Sequence, residues 1–163
     1  MTGRWVGIWA AAAQSTEPPD LPPPPFTTDG LVLPDSTLRQ TIRVSAGAQR
    51  VRLRLSNAFG GTELSVASVC LALPSGGRAG VSSIEPGTSR AVTFAGRPGV
   101  VVPAGAQAAS DPVEFPLAAA ANVTVTTYLA VGQRASGGIT SHPGSRTTSF
   151  LIQIGRASCR ERV

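Results

Sequence analysis

The sequence contains no lysine: all 14 of its basic residues are arginine, set against nine acids for a formal charge of +5. That excess is modest for 163 residues, and the five Phe, two Trp and one Tyr are scattered rather than interleaved with it. Nucleic-acid binders carry a denser basic patch alternating with stacking residues, so no nucleic-acid partner is expected. No apolar run approaches the roughly 18–20 residues that a membrane-spanning helix requires. One histidine and two cysteines are too few to converge into a zinc site, and no glycine-rich phosphate loop follows a strand and opens a helix. Neither a metal nor a cofactor is expected. Helical periodicity is missing too: no window places apolar side chains at i, i+3, i+4 and i+7 while keeping Gly and Pro out.

What is present is glycine, proline and alternation. With 42% apolar and 14% charged residues the chain has the composition of one globular domain, but 18 Gly and 14 Pro break it into many short elements. In Arg50-Val51-Arg52-Leu53-Arg54-Leu55 the apolar side chains point one way and the arginines the other, because strand side chains alternate faces. Residues 122–131 repeat the scheme, with Val123, Val125, Leu129 and Val131 expected inward. Further strands are expected at 4–10, 38–44, 63–73, 91–94, 99–102, 113–117 and 147–153, separated by turn signals such as Glu85-Pro86-Gly87, Gly137-Gly138 and Pro143-Gly144. About nine short strands at this spacing predict an all-β fold, an antiparallel β-sandwich of jelly-roll-like or immunoglobulin-like kind.

The ends and the proline run are read separately. Residues 5–13 imitate the apolar core of a signal peptide, yet Trp5, Gly7 and Trp9 sit two apart, which predicts a first strand instead. The proline-rich stretch 18–25 cannot donate to a ladder and is expected as a surface loop. Residues 154–163 break from the preceding Thr-rich strand and resemble the translation of a DNA sequencing adapter, so they are expected to be a non-native tail, leaving a sandwich over 1–153. Cys159 lies in that tail. Cys70 stands in an apolar strand and is expected as a buried, unreactive small residue.

His142 is the only imidazole available to a serine hydrolase. It sits in a turn, no Gly-x-Ser-x-Gly elbow is present, and Ile139 stands three residues before it where an acid would be wanted. No catalytic residue is therefore assigned. Candidate binding residues are Arg52, Asn57 and His142. Arg52 belongs to a stripe with Arg43, Arg50 and Arg54 on one sheet, suited to carboxylates or sugar hydroxyls. Asn57 reads as a left-handed turn residue or a contact to a further domain. Trp5 and Trp9 suit stacking on sugar rings, although residues so large are more often buried.

Several segments in order carry a resemblance: Trp5 to Ala11, Thr37 to Ser45, Val51-Arg-Leu-Arg-Leu-Ser-Asn-Ala-Phe-Gly60, Val92 to Gly96, Ser110-Asp-Pro-Val113 and Thr140-Ser-His-Pro-Gly144. Together they resemble the N-terminal region of bacterial SGNH/GDSL-type esterases and lipases that carry a β-sandwich before the hydrolase domain. The resemblance implies a parent protein that hydrolyses carboxylic esters, on carbohydrates or lipids, without a cofactor. It also implies that the nucleophilic Ser of a Gly-Asp-Ser block, the Gly and Asn of the oxyanion hole and an Asp-x-x-His pair belong to a following domain. None of these blocks occurs in this chain, which is then expected to be inactive by itself and to have the missing SGNH domain as its partner. Such proteins are often exported, whereas this chain begins with no convincing signal peptide. The alternative is a self-sufficient carbohydrate-binding sandwich.

Overall fold

Sixteen short strands and three 3-10 turns, with no α-helix, make up the described residues 4–153 of the computed structural model. The first third holds β1 (Gln14–Ser15), β2 (Thr27–Thr28), β3 (Leu31–Val32), β4 (Ser36–Arg43), β5 (Ala48–Val51) and β6 (Arg54–Ser56). The middle holds β7 (Leu64–Val66), β8 (Ser68–Ala72), β9 (Arg90–Val92), β10 (Val100–Val102) and β11 (Gln107–Ala109). The chain ends with β12 (Val113–Leu117), β13 (Asn122–Leu129), β14 (Gln133–Arg134), β15 (Thr140–Ser141) and β16 (Ser149–Ile152). None of the described helices is long and apolar enough to cross a membrane.

One layer is a five-stranded antiparallel sheet in the order β16-β4-β13-β8-β9. The facing layer consists of the antiparallel pairs β5–β12, β6–β11 and β7–β10. Val69, Leu71, Val92 and Val123 from the first meet Val51, Val66, Val113 and Phe115 from the second in one apolar cluster. This is the expected antiparallel β-sandwich, in which inward side chains of both sheets share a core.

The strands outnumber the nine expected for three reasons. Residues 48–56 form two strands because the ladder is interrupted at Leu53: its N–H donates to the Ser110 hydroxyl at 2.9 Å, and its carbonyl accepts the Ser110 N–H at 2.9 Å. A side chain there replaces a main-chain acceptor, the local irregularity of a bulge. Residues 63–73 are divided at Ala67, whose N–H bonds to the Tyr128 carbonyl, so the chain leaves one layer as β7 and enters the other as β8. The remainder are the three-residue β11, which pairs with β6, and two-residue pairings, β1 with β15 and β2-β3-β14, all too brief to give a periodic signal.

Three expectations are corrected. Residues 4–10 are an extended strap rather than a strand: Ile8 packs against the core and its carbonyl accepts the Ser45 N–H at 2.8 Å, but no ladder forms. Trp5 and Trp9 consequently stand 49% and 37% exposed instead of buried. Val131, expected inward, is 61% exposed, because β13 ends at Leu129 and the chain turns at Gly132, whose φ is positive. The polar face of β13 is also not solvated: it lies between β4 and β8, and Thr124 and Thr126 are buried. Thr124 shares a hydrogen bond with the Thr41 hydroxyl at 2.8 Å.

Cys70 is buried in β8 as expected, with its sulfur 2.9 Å from the Ser89 hydroxyl. Residues 154–163, the suspected non-native tail with Cys159, lie outside the described residues.

Leu71 has almost no exposed surface and both sheets pack on it. Leu71→Ala is expected to cost about 3 kcal/mol, whereas Val131→Thr should stay within about 0.5 kcal/mol of the parent. Urea unfolding of the two variants reads both numbers.

Candidate functional site

Each of the three candidate residues occupies a different environment. Asn57 follows β6 at the point where the strand must turn, and it has no exposed surface. Its amide Nδ2 donates to the carbonyls of Thr62 (2.9 Å), Val102 (3.0 Å) and Pro103 (3.1 Å). Its Oδ1 accepts the side-chain amide of Gln133 at 2.8 Å, and the same Gln133 nitrogen reaches the Thr62 carbonyl at 3.0 Å. The backbone joins in: Asn57 donates to Ala106 at 2.8 Å and accepts from Gly60 and Gly105 at 3.0 and 2.9 Å. Three stretches, 57–62, 102–106 and 133, therefore meet on one side chain.

The turn expected at Asn57 is present, its carbonyl accepting the Gly60 N–H, but the left-handed backbone is not. Its φ is not among the positive ones, so its value lies in the amide rather than in tolerance of left-handed backbone. With its polar atoms satisfied inside the protein, it offers no surface to a ligand or a second domain. The close approach explains Gly60: a Cβ there would sit 1.8 Å from the Asn57 Oδ1.

His142 precedes the 3-10 turn Pro143–Ser145 and is half-buried. Its Nδ1 shares a hydrogen bond with the Ser145 hydroxyl at 2.9 Å, and the Trp9 ring stands against it edge-on, with centroids 5.8 Å apart and planes at 81°. The Ser145 hydroxyl also accepts the Thr147 N–H at 3.4 Å. A hydrolytic triad needs a third group to orient the imidazole, and among the described residues no carboxylate bonds to His142. The pair closes a turn and pins the strap through Trp9.

Arg52 is exposed at the interruption between β5 and β6. Its guanidinium carbon lies 5.0 Å from the centre of the Trp5 ring, and that of Arg50 lies 6.0 Å away. Two cations therefore hold one indole by cation–π attraction. The expected four-arginine stripe is reduced to three, because Arg43 belongs to β4 in the other sheet.

Two charged residues that the sequence reading passed over are more heavily engaged. The Asp111 carboxylate accepts the Thr93 hydroxyl (2.7 Å) and the N–H groups of Gly96 (2.8 Å) and Ala95 (3.2 Å). Ala95 and Gly96 both have positive φ, the tight hairpin turn for which glycine is the natural second residue. The Gly96 N–H and the Thr93 hydroxyl hold the Asp111 carboxyl below its ordinary range, aided by the Ala95 N–H and the charge of Arg52 and opposed by desolvation.

Arg39 has no exposed surface. Its Nε donates to the Thr126 hydroxyl at 2.9 Å and its Nη1 to the Ser82 carbonyl. Burial pulls its pKa down to about 10, which leaves it charged at neutral pH. Alternation alone places Arg39 opposite Leu38, but only the long-range contact with Ser82 tells that this side is covered.

Two open clefts lie on the surface of the described residues. One, of about 370 Å³, lies where β1 meets β15 and is lined by Gln14, Ser15, Glu17, Asp20 and Ser141 among others. The second, of about 340 Å³, lies beside Leu31, Gln133 and exposed Val131. Among the described residues no three His, Cys, Asp or Glu side chains are grouped to hold a metal. No protein-family model matches the chain, and no curated protein matches it either.

Removing the Asn57 amide takes a donor from the Thr62, Val102 and Pro103 carbonyls, of which Thr62 keeps the Gln133 amide and Pro103 the Ala106 N–H, and takes an acceptor from Gln133, so Asn57→Ala is expected to lose about 2 kcal/mol in urea unfolding. Asp111 gives a pH signature. A carboxyl depressed in the folded state stabilises above its unfolded pKa of about 3.9, and that contribution is lost as pH falls through the folded value. Asp111→Asn should therefore lower the melting temperature at pH 6, and the difference from the parent should shrink when both are melted at pH 3.

Proposed function

We propose that the chain is the N-terminal accessory sandwich of an SGNH/GDSL-type ester hydrolase, without catalytic machinery of its own. One observation carries the reading. The segment with the most specific resemblance, Arg54-Leu-Ser-Asn-Ala-Phe-Gly60, and another of the ordered set, Ser110-Asp-Pro-Val113, contain residues whose side chains organise the sandwich. Asn57 gathers three stretches of chain, Gly60 makes room for its amide, Ser110 bridges the interrupted ladder and Asp111 closes the Ala95-Gly96 turn. Side chains engaged in this way serve a fold and not a reaction, which is what an accessory domain requires. The esterase nucleophile, its base and its oxyanion donors then belong to a following domain, where a Ser activated by His attacks the ester carbonyl.

A second reading, a carbohydrate-binding sandwich, draws on the exposure of Trp5, Trp9 and Phe59, since aromatic faces stack on sugar rings. It is weakened by the engagement of Trp5 with Arg50 and Arg52 and of Trp9 with His142.

The natural gene decides between them. A Gly-Asp-Ser codon run in frame downstream of codon 153 is expected, together with no turnover of p-nitrophenyl acyl esters by the present chain. Turnover abolished by His142→Ala would refute the reading. Polysaccharide affinity lost in a folded Trp9→Ala variant, with a stop codon downstream, would establish the binding module instead.

A further inference from the structure

We propose that the open edge of the β5–β6 strand docks an extended, acidic segment of another polypeptide, which adds to the sandwich as a further antiparallel strand. The inference does not depend on the esterase reading. β5 and β6 each pair on one side only, with β12 and β11. Leu53 and Asn57 bond towards that side, to Ser110 and Ala106. Antiparallel alternation then turns the N–H and C=O groups of Arg50, Arg52 and Arg54 the other way, where no described strand pairs with them. Unpaired edge groups of this kind are a template for another strand.

The arginines specify what kind of strand. Arg50, Arg52 and Arg54 are all exposed, and residues two apart on a strand present side chains roughly 6.8 Å apart on one face. The closed side demonstrates the complementary arrangement: Glu114 of β12 lies opposite Arg50, with Nε and Oε1 3.6 Å apart. Arg54 faces Ala109 across its pair and finds no carboxylate there. An incoming strand with carboxylates at alternate positions would meet Arg52 and Arg54 as Glu114 meets Arg50. A second copy of the same edge would set arginine against arginine, which cross-strand pairing disfavours. Exposed Trp5, held over Arg50 and Arg52, provides an apolar ledge beside the incoming chain.

The test uses a fluorescein-labelled peptide of alternating Thr and Glu, read by fluorescence anisotropy at low ionic strength. Three comparison probes are a peptide of equal composition with its Glu residues in one block, the alternating peptide N-methylated on the residues facing the edge, and polygalacturonate. The alternating peptide should bind, and the block and N-methylated peptides should bind about tenfold or more weakly. Arg54→Glu should weaken binding about tenfold or more, while Arg78→Glu, on a distant exposed turn, should leave it unchanged. No binding of the alternating peptide, or insensitivity to Arg54→Glu, overturns the proposal. Equal binding of the block peptide, the N-methylated peptide or polygalacturonate also overturns it, because charge alone would then account for the attraction.

Discussion

The Asn57 amide is the constraint on which the loop end of the sandwich depends. A β-sandwich leaves the chain's polar groups unpaired wherever strands stop and turn, and buried groups left so are costly. Here one side chain donates to three carbonyls at such a place and takes the Gln133 amide in return. The backbone must approach closely enough for this to work, which fixes Gly60 and draws 102–106 against 57–62. The same economy recurs at Ser110 and Asp111, where a hydroxyl and a carboxylate complete what the ladders leave open.

Much of the fold was legible in the sequence because alternation and turn chemistry are local. Val51, Leu53 and Leu55 against three arginines, and Val123 and Val125 against threonines, gave the strands and the inward faces correctly. Coverage of the second face was not legible. Whether that face is solvated depends on what crosses it, and buried Arg39 bonds there both to Thr126 and to the Ser82 carbonyl of a distant loop. The strap failed for the opposite reason: Trp5 and Trp9 have the spacing of a strand, but strands need a ladder, and cation–π and edge-on ring contacts hold this segment instead.

The candidate residues fared according to how local their chemistry is. Asn57 was legible as a turn residue, but its reach to Val102 and Gln133 spans long separations that no local pattern encodes. Asp111 was visible only as part of Ser110-Asp-Pro-Val113; its partner turn at Ala95-Gly96 lies well upstream. His142 was recognised as a turn residue, and its contact with Trp9 connects two distant ends of the described chain.

The passage of a single segment through Ala67 from β7 to β8 has a mechanical meaning. The two layers are joined by continuous backbone there. A pull on β7 is therefore passed to β8 along the main chain itself, without relying on side-chain contacts between the sheets.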